Sequence, residues 1–163
     1  METKCSDLLF ADNIGNFKLP GLVVNQMHRY RQVKSNMPES GGLLLGRFII
    51  NSPDVVVDEI TTPLPTDRSS RFHFRRGSYG HQQVINDRWF QSDGTCNYLG
   101  EWHTHPEPNP VQSTLDIASW QMQLDRLPAN QNELFFAILG TSSIAVWKAL
   151  RQPFSYYQLI LLP

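Results

Sequence analysis

Apolar positions recur at helical spacing between Leu22 and Asn36, where Val23, Val24, Met27, Tyr30 and Val33 form one stripe bracketed by Pro20 and Pro38. Residues three and four apart share a helix face, so this segment predicts a helix. After Gly41-Gly42 the pattern changes to an aliphatic run from Leu43 to Ile50, the mark of a strand buried on both faces. Asp54–Thr61 (DVVVDEIT) is rich in β-branched residues and predicts a second strand. Pro63 and Pro65 interrupt Thr62–Ser70, which reads as a loop. Phe72 and Phe74 alternate with His73 in a short strand. Val84, Ile85, Trp89 and Phe90 stripe a helix from His81 to Ser92, with Gly94 to end it.

The second half continues the alternation. Tyr98–His105 (YLGEWHTH) reads as a strand, and Pro106, Pro108 and Pro110 punctuate the loop after it. A helix from Ser113 to Leu127 carries Leu115, Trp120, Leu124 and Leu127. Three strands then follow, Leu134–Leu139, Ile144–Leu150 and Tyr156–Leu161, with Gly140-Thr-Ser as the turn between the first two. Residues 1–19 are weakly patterned and read as a strand or arm docked on the domain edge. Helices interspersed among strands place the chain in the α/β class with a mixed sheet.

Composition narrows the function classes. The chain has 163 residues, 40% hydrophobic and 18% charged, enough for one domain (1–163) with a packed core and too apolar for wholesale disorder. A net charge of −1 lacks the basic field that a nucleic-acid or membrane-surface binder needs. Cys5 and Cys96 cannot build a disulfide framework or a thiolate zinc site. The start, METKCSDLLF, is too short and charge-broken for a signal peptide. The apolar runs Phe135–Leu139 and Leu159–Leu162 fall far below the ~20 residues of a membrane span. The expectation is a soluble, cytoplasmic protein.

One cluster carries chemistry: His103-Thr-His105-Pro-Glu-Pro-Asn-Pro-Val-Gln-Ser113-Thr-Leu-Asp116. On a strand, residues two apart face the same side, so His103 and His105 project together. Asp116, in the first turn of the following helix, can swing back as a third ligand. Two imidazoles and a carboxylate suit Zn²⁺, and three protein ligands leave a fourth position for water, the arrangement of a catalytic site. Ser113 with Asp116 three residues later also makes a sound helix N-terminus, and both roles can hold together. The general-base role is open on the residues alone. Glu101 shares the histidines' face, and Glu39 lies upstream in Glu39-Ser-Gly41-Gly42-Leu-Leu-Leu-Gly46. Glu107 reads as a solvated loop carboxylate, and His28, His73 and His81 as ordinary surface or element-end residues. Arg68, Arg71, Arg75 and Arg76 form a basic patch, either a solvated loop or a rim receiving an acidic or extended peptide.

HTHPEPNPVQSTLD, with ten residues between His105 and Asp116, together with ESGGLLLG upstream, resembles the JAMM (MPN-plus) zinc metallopeptidases. The resemblance implies a cytidine-deaminase-like, mainly antiparallel sheet flanked by helices. It also implies one Zn²⁺ per chain held by His103, His105 and Asp116. By position, Glu39 would be the general base for zinc-hydroxide attack and Ser113 the oxyanion donor, with Glu101 left as a partner that could orient a ligand histidine. Phe72-His-Phe-Arg75 and YLGEWHTHPE resemble the small bacterial, deubiquitinase-like members, above all the deconjugating peptidases of CBASS anti-phage operons. Those imply a conjugated protein substrate, a nucleotidyltransferase or ubiquitin-like C-terminal tail, and a functional link to ubiquitin-activating-like and conjugating-like enzymes. Two alternatives stand beside that: a processing peptidase for a ubiquitin-like sulfur carrier, and a non-catalytic MPN-type scaffold.

Overall fold

In the computed structural model, which describes residues 5–163, two short strands open the chain, β1 (Leu8–Ala11) and β2 (Asn16–Leu19), followed by helix α1 (Gly21–His28). Strands β3 (Gly41–Phe48) and β4 (Val55–Ile60) come next, then the hairpin β5 (Arg68–Ser70) and β6 (His73–Arg75), and helix α2 (Ser78–Gln91). Strand β7 (Asn97–Thr104), helix α3 (Thr114–Asp125), and strands β8 (Glu133–Leu139), β9 (Ile144–Leu150), β10 (Ser155–Gln158) and β11 (Ile160–Leu161) complete it. The edge arm expected at residues 1–19 is the β1–β2 hairpin; residues 1–4 of it lie outside the described residues.

Nine strands form one sheet in the order β10-β9-β8-β7-β3-β4-β2-β1-β11, and β5-β6 stand apart as a hairpin. The architecture is mixed α/β and mostly antiparallel, with β2–β4 and β7–β8 as the parallel pairs. Strand β8 explains the layering. Its continuous apolar run sends Phe135, Ala137 and Leu139 into a core with α1 and Trp102, while Leu134, Phe136 and Ile138 join a second core under α3 with Trp120, Leu124 and Trp147. The period of two thus sorts one unbroken hydrophobic strand between two faces. Where β7 crosses β3 the register slips beside Gly100, whose φ is +146°, and a Cβ there would overlap the Phe135 carbonyl.

The structure corrects several sequence expectations. The helix predicted to Asn36 ends at His28, and Val33 is left 66% exposed. The chain leaves the helix so that Gln32 can turn inward, where its amide donates to the carbonyls of Met37 and Arg71 and its Oε1 accepts from Thr104 Oγ1 at 2.9 Å. The predicted 62–70 loop ends in strand β5, paired with β6. The stripe on α2 is only half covered: Val84 and Ile85 are partly buried, but Trp89 and Phe90 face outward, Phe90 85% exposed. That helix instead buries His81, which Thr61 Oγ1 and Asp67 hold from both ring nitrogens at 3.0 Å. The helix predicted to Leu127 ends at Asp125; Leu115 is exposed on it, whereas Trp120 and Leu124, with Leu127 just past its end, are buried.

The last predicted strand divides at Leu159. β10 extends one edge of the sheet and β11 the other, so a single residue links the two edges. Leu159 N–H donates to Val146 and Leu162 N–H to Leu9, while Tyr157 Oη donates to Asp12 Oδ2 at 2.7 Å across the seam. The sheet is thereby rolled toward closure, with Phe17 of β2 stacked on Phe135 of β8 at 4.5 Å.

Candidate metal centre

Strand β7 brings His103 to its end, and His105 follows one residue past it, still tied to β8 through its N–H on the Leu139 carbonyl at 2.9 Å. Thr104 points to the opposite face, where its hydroxyl bridges Ser40 N–H and Gln32. The two imidazoles therefore converge, Nε2 to Nε2 at 3.0 Å. Asp116 reaches them from the first turn of α3: Oδ1 lies 3.1 Å from His103 Nε2 and Oδ2 3.4 Å from His105 Nε2.

The start of α3 aims that carboxylate. Ser113 Oγ accepts from the Asp116 N–H at 3.1 Å, and Asp116 Oδ2 accepts from the Ser113 N–H at 2.7 Å, a complete capping box. Burial pushes the Asp116 carboxyl up, but hydrogen bonds from both histidines reverse this and hold it well below its ordinary range. Burial likewise favours neutral His105, yet Asp116 and Glu107 outweigh it and lift the imidazole to about 9.

The donor set fits zinc. Zn–N and Zn–O bonds of ~2.0–2.1 Å in a tetrahedron put donors about 3.3 Å apart; the two Nε2 atoms are 3.0 Å apart, and each has one Asp116 oxygen beside it, Oδ1 at 3.1 Å from His103 and Oδ2 at 3.4 Å from His105. Glu39 lies just before β3, its N–H on the Ser70 carbonyl, and is 5% exposed. One of its carboxylate oxygens lies within 4.8 Å of the histidine ligand atoms. Burial raises Glu39 to about 7 against the opposing pull of the two imidazoles, which suits a group that must take and return a proton near neutrality.

Glu101, the other candidate base, is engaged elsewhere. Its Oε1 accepts from Arg76 Nε and Nη2 at 3.0 and 2.8 Å and from Tyr98 Oη at 3.1 Å. Among the described residues its hydrogen-bond partners are Arg76 and Tyr98, not His103 or His105. Glu107 has that contact instead, its Oε1 lying 3.1 Å from His105 Nδ1, so it is more than the solvated carboxylate expected. The only sequence signal for this was an acidic residue two past a histidine in a proline-stiffened loop.

The basic patch also resolves into separate parts. Arg76 is paired with Glu101, and Arg71 donates to the carbonyls of Lys34 and Ser35. Arg68 and Arg75 stay exposed on the β5–β6 hairpin. That hairpin walls a groove of ≈ 860 Å³ running from His103 and Asp116 between β6 and α3, with Arg68, Arg75, Arg76, Arg126, Leu115 and Met122 in its lining.

The family model for prokaryotic homologues of the JAB domain matches residues 23–152, which takes in every one of these site residues. The chain belongs to that family. Among curated relatives, a protein of Escherichia coli named "CD-NTase/cGAS isopeptidase" is 34% identical over 147 residues, 90% of each chain. A Vibrio cholerae protein of the same name is 32% identical over 86% of each chain. A Pseudomonas aeruginosa namesake is 40% identical over 58% of this chain and 56% of its own. A solution structure from Desulfitobacterium hafniense shares the fold, with a TM-score of 0.55 at 20% identity over 85% of this chain and 86% of that one.

Proposed function

We propose that this chain is a zinc-dependent JAB isopeptidase, one domain over residues 1–163, that frees a cyclic-dinucleotide synthase from proteins joined to its C-terminus. The observation that carries the reading is the convergence of the His103 and His105 Nε2 atoms on the Asp116 carboxylate, beside buried Glu39. The substrate assignment draws on the relatives named "CD-NTase/cGAS isopeptidase". On this reading the protein works in the cytoplasm of a cell running a CBASS anti-phage system, alongside ubiquitin-activating-like and conjugating-like enzymes.

His103, His105 and Asp116 would hold a zinc ion, which would supply Lewis acidity toward the scissile carbonyl and acidify a water nucleophile. Glu39 takes the proton of the attacking water and returns it to the departing amine. Its buried carboxyl, raised to about 7, suits both halves of that shuttle. Ser113 Oγ already accepts from the Asp116 N–H, so its own O–H remains to donate to the developing oxyanion. The groove between β6 and α3 receives the substrate tail in extended form, and exposed Arg68, Arg75 and Arg126 favour acidic side chains along it.

The decisive test is incubation of the zinc-loaded protein with two fusions, one carrying a reporter on a nucleotidyltransferase C-terminus and one on a Gly-Gly-terminated modifier. Mass spectrometry then locates the cut. Release at the nucleotidyltransferase junction supports the proposal. Cleavage of the modifier fusion alone transfers the protein to sulfur-carrier processing. Absence of stoichiometric zinc with neither fusion cut makes it a scaffold.

A further inference from the structure

We infer that Glu107 is a positioning residue for the metal centre, fixing both the tautomer and the ring orientation of His105; this rests on the zinc reading proposed above. An imidazole that offers Nε2 to a metal must carry its proton on Nδ1. That proton needs an acceptor, and Glu107 Oε1 stands 3.1 Å from His105 Nδ1. The same oxygen accepts the Val111 N–H at 2.7 Å, so the carboxylate is gripped from a second direction.

The backbone behind Glu107 is held as firmly. Its carbonyl accepts from Thr141 N–H at 2.9 Å, and the Pro108 carbonyl accepts from the N–H groups of Ser142 and Ser143 at 3.1 Å. Those donors belong to the turn between β8 and β9. Gly140, at the start of that turn, leaves room for both carbonyls where a Cβ would collide with them. His105 itself is anchored on β8 through Leu139. The histidine and its carboxylate are therefore fixed to the same two-strand unit, and ring rotation would have to break the Glu107 contact. The side chain of Glu107 is 42% exposed, so its charge keeps its hydration while it acts on a ring that is 11% exposed. A carboxylate on the outer nitrogen also makes the inner one a stronger donor, and loss of such a partner typically costs 10–100-fold in metal affinity.

The test titrates the zinc-free protein with zinc against a chromogenic chelator for wild type, Glu107→Ala and Glu107→Gln. The visible spectra of the Co²⁺-loaded forms are recorded alongside. Glu107→Ala should weaken zinc binding by about 10–100-fold and alter the Co²⁺ bands. Glu107→Gln retains an oxygen for both N–H donors and should fall between wild type and Glu107→Ala. Where Glu107→Ala does not fold, Glu107→Asp, whose shorter side chain withdraws the carboxylate, takes its place. Zinc binding in Glu107→Ala within about twofold of wild type (a few tenths of a kcal/mol, below the cost of a lost partner) overturns the inference. So does a lower melting temperature of the zinc-free variant with zinc affinity unchanged, which would make Glu107 a loop brace only. A wild type that binds no zinc sinks the metal-centre reading itself, a result distinguishable from either of these.

Discussion

Ser113 is asked to do two jobs with one oxygen, and substitution can separate them. Its Oγ accepts from the Asp116 N–H at 3.1 Å while its N–H donates to Asp116 Oδ2 at 2.7 Å. Replacing it with alanine removes the cap acceptor, which typically costs ~1 kcal/mol; for a domain of this size that lowers the melting temperature by about 2–4 °C. Glycine at the same N-cap position costs only a few tenths of a kcal/mol and keeps the N–H that holds Asp116. If the hydroxyl stabilises the oxyanion, both variants lose about 10²–10³ in kcat, roughly 2.7–4 kcal/mol, although their stabilities differ. The assay pairs thermal melting of the zinc-free proteins with turnover of the nucleotidyltransferase fusion, with zinc content measured in parallel. Ser113→Thr, which keeps both cap and hydroxyl, should recover most of each. Wild-type turnover in Ser113→Gly would refute the oxyanion role and leave Ser113 as a helix cap.

The other predictions concern the base, the seam and the groove. Glu39→Gln should abolish turnover with zinc still bound, whereas Asp116→Ala should lose both; activity surviving Glu39→Gln but not Glu101→Gln reassigns the base. Burial pushes Asp12 up, but the Tyr157 hydroxyl, the N–H groups of Gly15 and Ile14, and Lys148 bring it down from 3.8 to about 2. A depressed carboxyl stabilises the fold above its unfolded value and loses that contribution as the pH falls through the folded one. Tyr157→Phe should therefore cost about 1.5–3 kcal/mol at neutral pH, with the gap to wild type in denaturant melts narrowing from pH 3.8 toward about 2; an undiminished gap there contradicts the pairing. Reversing charge with Arg75→Glu should raise KM for a fusion with an acidic tail, more at low salt than at high, and leave kcat near wild type. Equal effects on acidic and neutral tails argue against charge reading in the groove.

What the sequence made legible is whatever depends on near neighbours. His103 and His105 converge because strand alternation demands it, and Ser113 caps because an N-cap and its N3 partner are three residues apart. The aliphatic run after Gly42 announced a strand buried on both faces, and Leu43, Leu44 and Leu45 of β3 are all buried. What stayed hidden depends on polar groups with distant partners. Gln32 ends α1 early by meeting Thr104, 72 residues away, and His81 turns α2 inward to meet Thr61 and Asp67, 20 and 14 residues away. Glu101 meets Arg76, 25 residues away, and it is Glu107 that contacts His105. No periodicity in the chain encodes those meetings.

Leu159, the residue between β10 and β11, also sets an order of events in synthesis. A chain growing from its N-terminal side can pair β7 with β3 and dock α3 while residues 155–161 are still to come. Until they arrive, β9 and β1 each present an unpaired edge, the kind of surface that recruits other chains. Pairing β11 with β1 joins residues about 150 positions apart, Phe10 to Leu161, and contacts of such sequence separation form slowly. The interval between emergence of β9 and closure of the seam is therefore the window in which nascent chains of this protein are most exposed to aggregation and most in need of a chaperone.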